Sequence, residues 1–128
     1  MSPKRILIID DEIAFTEMVK INLEATGHYE VCIENQSPKA VQTARKFQPD
    51  LILLDFIMPT MDGADVAAAL KQDPLLASIP MVMVTALVSN REMGSDGTFI
   101  AGGQRMLAKP VSLPNLLRCI EAQLASCV

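Results

Sequence analysis

Short apolar runs recur along the chain at 6–9, 31–33, 51–54, 81–84 and 106–108, with few polar interruptions. Each is too short for a buried helix. Runs of this kind suit strands covered on both faces, as in a parallel sheet. The stretches between them carry helical spacing instead. Phe15, Met18, Val19 and Leu23 share one face; so do Ala40, Val41, Ala44 and Phe47. Val66, Ala69 and Leu70 form a third stripe on a segment ending near Asp73-Pro74. Leu113, Leu116, Leu117, Ile120 and Leu124 form the cleanest one.

Start and stop signals agree with these elements. Ser37-Pro38 offers a cap before a first-turn proline, Gly27 follows the first helix, and Ser112 stands before the last. A further helix is expected over 89–101. It is the weakest of the set, because Gly94 and Gly97 each cost ~1 kcal/mol relative to alanine inside a helix. The whole reads as βα repeated five times. With right-handed crossovers that is an α/β fold, an open parallel sheet with helices on both faces.

In such sheets ligands bind beyond the carboxyl ends of the strands. The first run ends in Asp10-Asp11-Glu12, the third in Asp55, the fourth in Thr85 and the fifth in Lys109-Pro110. These groups are scattered in sequence, and the fold would bring them to one edge. Any one strand-end aspartate is ordinarily a turn or cap residue. The set, in this order and all at strand ends, is not expected by chance.

Composition narrows the reading further. The chain has 128 residues, half of them hydrophobic, which is one domain's worth of core over 1–128. No apolar run approaches the ~20 residues of a membrane helix, and the start is too short for a secretory signal, so a cytoplasmic location is expected. The net charge of −4 argues against nucleic-acid binding through a broad basic surface. Cys32, Cys119 and Cys127 are widely spaced, which suits inert thiols better than a zinc or disulfide framework. His28, beside Gly27, suits a surface turn.

Three clustered carboxylates call for a proton, a cation or a metal. Lys109 can balance only one of them, and a hard divalent ion such as Mg²⁺ suits the remainder. A carboxylate can also attack phosphorus to give an aspartyl phosphate. Such a transfer needs its developing charge met by a metal, an ammonium and hydrogen-bond donors. Asp55, alone on the central strand, is the best nucleophile. Lys109, the Thr85 hydroxyl and the backbone N–H of Ala86 would serve the phosphoryl oxygens.

The segments Ile6-Leu7-Ile8-Ile9-Asp10-Asp11-Glu12, Pro49-Asp50-Leu51-Ile52-Leu53-Leu54-Asp55 with Phe56-Ile57-Met58-Pro59-Thr60-Met61-Asp62-Gly63, Ile79-Pro80-Met81-Val82-Met83-Val84-Thr85-Ala86 and Leu107-Ala108-Lys109-Pro110 carry a resemblance. The chain resembles the receiver domain of bacterial two-component response regulators, over essentially its whole length. The resemblance implies a flavodoxin-like, chemotaxis-receiver-like sheet of five parallel strands in the order 2-1-3-4-5. It implies Asp55 as phosphoacceptor, Thr85 as switch hydroxyl and Lys109 as the phosphate-pairing lysine, with a cis bond to Pro110. Mg²⁺, or Mn²⁺ in its place, would be held by Asp10, Asp11, Asp55 and the backbone carbonyl of Ile57.

The implied partners are a sensor histidine kinase or histidine phosphotransfer protein upstream and an effector protein or fused output domain downstream. Direct binding of nucleic acid or membrane by this domain is not expected. Phosphorylation would reshape the face made by the 89–101 segment, the fifth strand and the last helix, and dimerisation is one implied output. Ile13, Ala14 and Glu17, with the 110–112 loop, would form the kinase-docking rim. Asp62-Gly63 reads as turn and helix start.

Three departures from the family pattern stand out. Met106 occupies a position where receivers usually carry Tyr or Phe, so the usual coupling of Thr85 to a rotating ring is not expected, and flexible methionine would have to substitute by repacking. Ile57 and Leu87, two residues beyond Asp55 and Thr85, are apolar where many relatives place groups that position the hydrolytic water. Slow self-dephosphorylation is therefore expected. The glycines at 94, 97, 102 and 103 suggest a mobile signalling face. Met106 and that loose segment are the best support for an alternative, a phosphorylation-independent interaction module, against which the intact set of Asp10, Asp11, Asp55, Thr85 and Lys109 stands. A phosphohydrolase with an aspartate nucleophile would need a second acid at position 57, and a dinucleotide enzyme would need a GxGxxG after the first strand; neither is present.

Overall fold

A computed structural model describes residues 3–85, 98–101, 104–108 and 112–125. The elements are β1 (Lys4–Ile9), α1 (Ile13–Ala25), β2 (Tyr29–Glu34), a 3₁₀ turn (Ser37–Lys39), α2 (Ala40–Phe47), β3 (Leu51–Asp55), α3 (Gly63–Gln72), β4 (Met81–Thr85), β5 (Thr98–Ala101), β6 (Gln104–Ala108) and α4 (Leu113–Ala125). The sheet order is β2-β1-β3-β4-β6-β5. Its five parallel strands, β2-β1-β3-β4-β6, have the expected 2-1-3-4-5 order, in register from Ile6↔Val31 and Ile6↔Leu51 to Asp55↔Val84 and Thr85↔Ala108.

The apolar runs of β1, β3 and β4 are buried on both faces, that of the outer strand β2 only at Val31, and the period of two sorts them. Leu7, Ile9, Ile52, Leu54, Met81, Met83 and Met106 pack against Ala40 and Ala44 of α2 and Val66 and Leu70 of α3. Ile6, Ile8, Leu51, Leu53, Val82, Val84 and Leu107 pack against Val19 and Leu23 of α1 and Leu116, Cys119 and Ile120 of α4. Each strand thus holds one side chain out of two in each core, and neither core can shift by one residue without turning all its contacts to the wrong face.

The sheet has a sixth strand that the expected helix over 89–101 does not allow. Thr98–Ala101 runs antiparallel to β6, with Thr98↔Leu107 and Ala101↔Gln104 as the outer pairs. Threonine, phenylalanine and isoleucine favour strands, and Gly102-Gly103 falls between the two strands, where a two-residue hairpin connection wants glycine. The rest of that segment, 89–97, lies outside the described residues, as does the signalling-face mobility expected of it. The Lys109–Pro110 bond lies outside them too.

The helix ends follow the expected chemistry with one correction. Gly27 has φ of +80° just past α1, a left-handed conformation suited to glycine. The Ser112 hydroxyl accepts the Asn115 N–H at 3.3 Å at the start of α4. Ser37, expected as a cap, instead donates its hydroxyl to the Pro59 carbonyl at 3.3 Å, tying the β2–α2 connection to the β3–α3 connection. Among the described residues no helix is long and apolar enough to cross a membrane.

Candidate functional site

The acidic site is assembled where three parallel strands stop. The N–H of Asp10 donates to the Glu34 carbonyl at 3.1 Å, so the ladder between β1 and β2 runs one residue past β1. That residue is fully buried, and its Oδ1 accepts the Glu12 N–H at 2.9 Å, which turns the chain into α1. Asp11, between them, is exposed. On the neighbouring strand Asp55 is the last residue of β3 and only 6% exposed. Asp10, Asp11 and Asp55 each offer a carboxylate oxygen, and these oxygens all lie within 4.8 Å of one another. Two unit charges at that separation repel by about 3.5 kcal/mol at an effective dielectric of 20. Oxygen donors held this closely, with two of the three residues buried, suit a hard divalent cation.

One strand further along, Thr85 ends β4 and is 1% exposed. Its register partner is Ala108, the residue before Lys109. Lys109 and Ala86 lie outside the described residues. Ile57 follows β3 and is 54% exposed. Met106 is buried in the core against α2 and α3, level with Met83 of β4.

Two local features hold the end of β3 in place. Gly63, the first residue of α3, donates its N–H to the Phe56 carbonyl at 2.8 Å. A Cβ on it would lie 2.4 Å from the Asp55 carbonyl oxygen and 2.7 Å from the Phe56 Cα. Only glycine lets the helix start against the strand that carries Asp55. Asp62 then caps that helix, its Oδ1 accepting the Asp65 N–H at 3.0 Å. The turn-and-helix-start reading of Asp62-Gly63 is met, with the close approach to Asp55 as the added reason.

Asn35, the first residue past β2, was not among the expected site residues. Its amide donates to the Asp10 carbonyl at 2.7 Å and to the Thr16 hydroxyl at 3.1 Å. With Asp11 it lines a cavity of about 290 Å³, walled further by Ser37, Pro38, Pro59 and Thr60. The strand-end rule that picks out Asp10, Asp55 and Thr85 picks out Asn35 as well once β2 is read to its end.

The sequence model of the response regulator receiver domain matches residues 6–121. The DNA-binding dual master transcriptional regulator RpaA of Synechocystis sp. is 38% identical over 94% of this chain and 48% of its own length. The chain therefore spans about half of that relative. The polar-differentiation response regulator DivK of Brucella anthropi is 32% identical over 95% of this chain and 97% of its own. Among solved structures, a CheY-like response regulator receiver domain protein from Methanospirillum hungatei superposes with a TM-score of 0.79 at 26% identity, covering 98% of this chain and 97% of that one. The strand order, the acidic strand ends and these matches agree: the chain belongs to the response regulator receiver domain family.

Proposed function

We propose that this domain is a phosphorylation-dependent switch whose phosphoacceptor is Asp55. The observation that carries the reading is the gathering of Asp10, Asp11 and Asp55 oxygens within 4.8 Å at the ends of β1 and β3, with Thr85 ending the next strand. An Asp55 oxygen attacks the phosphorus of a phosphohistidine on a sensor kinase or phosphotransfer protein. The P–N bond breaks, its electron pair stays on the imidazole, and that nitrogen takes up a proton.

The carboxylates of Asp10, Asp11 and Asp55, with the Ile57 carbonyl, would hold Mg²⁺, or Mn²⁺ in its place. The ion would supply charge neutralisation on the phosphoryl oxygens. Thr85 donates its hydroxyl to a phosphoryl oxygen, the Ala86 N–H adds a second donor, and Lys109 pairs its ammonium with a third oxygen.

The donor would approach over the start of α1, where Ile13, Ala14 and Glu17 are exposed. Inward movement of Thr85 upon phosphorylation would then bias β6 and α4 between two arrangements. Output passes to an effector protein or a fused domain, and dimerisation is a further route. Beryllofluoride with Mg²⁺ tests the reading, because it occupies the place of a phosphoryl group on the carboxylate. Amide shifts around Asp55 and Thr85 are expected in the parent and not in Asp55→Ala; an unchanged parent spectrum would overturn the assignment.

A further inference from the structure

We propose that Asn35 is a positioning residue of the acidic site, fixing where the Asp11 carboxylate stands when Mg²⁺ binds. The proposal rests on the reading of Asp10, Asp11 and Asp55 as the metal ligands. Both hydrogens of the Asn35 amide are used, one on the Asp10 carbonyl at 2.7 Å and one on the Thr16 hydroxyl at 3.1 Å. Chemistry settles the direction of both bonds. A carbonyl oxygen can only accept, and the Thr16 hydroxyl already donates its hydrogen to the Ile13 carbonyl at 2.9 Å, so it accepts from Asn35.

The Asp10 carbonyl belongs to the planar peptide that joins Asp10 to Asp11. Holding its oxygen sets the orientation of that peptide and, through it, the Cα from which the Asp11 side chain projects. On the other side of Asp11, the Glu12 N–H is held by the Asp10 carboxylate at 2.9 Å. Thr16 is fully buried in α1, so the network anchors the exposed acidic loop to the helix as well as to β2. Groups that orient metal ligands from behind typically change metal affinity by ~10–100-fold when removed.

The test is a Mg²⁺ titration of the folded protein, followed by amide chemical shifts well below the unfolding temperature. A merely structural role would lower the melting temperature and leave this dissociation constant in place. Asn35→Ala is expected to raise the constant about tenfold. Asn35→Asp separates positioning from charge. It keeps the size, removes the donor and adds a negative charge, so simple electrostatics would tighten Mg²⁺ binding while loss of positioning weakens it.

Weaker binding in both variants supports the proposal, and a constant within twofold of the parent in Asn35→Ala, or tighter binding in Asn35→Asp, overturns it. If neither variant folds, Thr16→Val decides, since it removes the acceptor beneath Asn35: weaker binding supports the role and unchanged binding overturns it. A parent that binds no Mg²⁺ would instead overturn the underlying reading of the acidic cluster.

Discussion

Gly63 stands so close to Asp55 that a single added carbon would lie 2.4 Å from the Asp55 carbonyl oxygen. The start of α3 and the end of β3 are therefore packed with no room between them, and the Gly63 N–H donates to the Phe56 carbonyl. Gly63→Ala must push the strand end or the helix aside. Overpacking of this kind costs about 1–3 kcal/mol, and here it displaces the backbone that carries the phosphoacceptor. Urea unfolding is expected to show that loss, with phosphorylation by a small-molecule donor slowed in the fraction that remains folded.

Arg45 of α2 and Asp73, just past α3, form an ion pair that ties the two helices together. The Arg45 hydrogen bond holds the Asp73 carboxyl below the usual carboxylate range, and the Leu75 N–H adds to this at 2.9 Å, while burial opposes both. A carboxylate lowered in the fold contributes stability above its unfolded value, and that contribution is lost as pH falls through the lowered one. Stability of the parent is therefore expected to fall in acid, below about pH 4. Asp73→Asn, with no charge to lose, should show a lower plateau at neutral pH and a shallower acid slope. Equal slopes in urea unfolding across that window would contradict the assignment.

Val31 lies on β2, an outer strand of the sheet. Its N–H donates to the Glu24 carboxylate at 3.0 Å and its carbonyl accepts from the Lys20 ammonium at 2.9 Å, so α1 covers both groups with an ion pair. An uncovered edge invites pairing with another strand. The pair is partly exposed, so Lys20→Ala with Glu24→Ala should cost no more than about 1 kcal/mol. Its clearer signature is faster hydrogen exchange at the Val31 amide and concentration-dependent association in sedimentation.

Ile57 and Leu87 leave no polar side chain at the two positions that position water in many relatives. The aspartyl phosphate of the purified domain is expected to last minutes or longer. Ile57→Asn, which places an amide at a half-exposed position, should shorten that lifetime. Decay within seconds in the parent would contradict this reading.

The sheet was legible because its central strands are buried on both faces, so each reads as an apolar run, and the polar residues that interrupt the pattern do so at strand ends. Asp10, Asp55 and Thr85 are conspicuous for that reason. The edge hairpin was less legible. Its outer strand, Thr-Phe-Ile-Ala, is only four residues long and follows a glycine-containing stretch with weak helical spacing; its signal was Gly102-Gly103 between two strand-forming runs. Ser37 resembled a cap because cap chemistry is local, whereas its hydrogen bond is to Pro59, a residue brought near only by the fold. The end of β2 marks Asn35 by position, but its bonds to Asp10 and Thr16, like the close approach of Gly63 to Asp55, are contacts a linear pattern does not display.

The most direct test of the central claim is the intact mass of the protein after incubation with Mg²⁺ and acetyl phosphate, with Asp55→Ala beside it. The account predicts a gain of one phosphoryl group in the parent, dependent on Mg²⁺ and carried on Asp55, and no gain in the variant. A parent whose mass does not change, or a variant that gains the group equally, would contradict it.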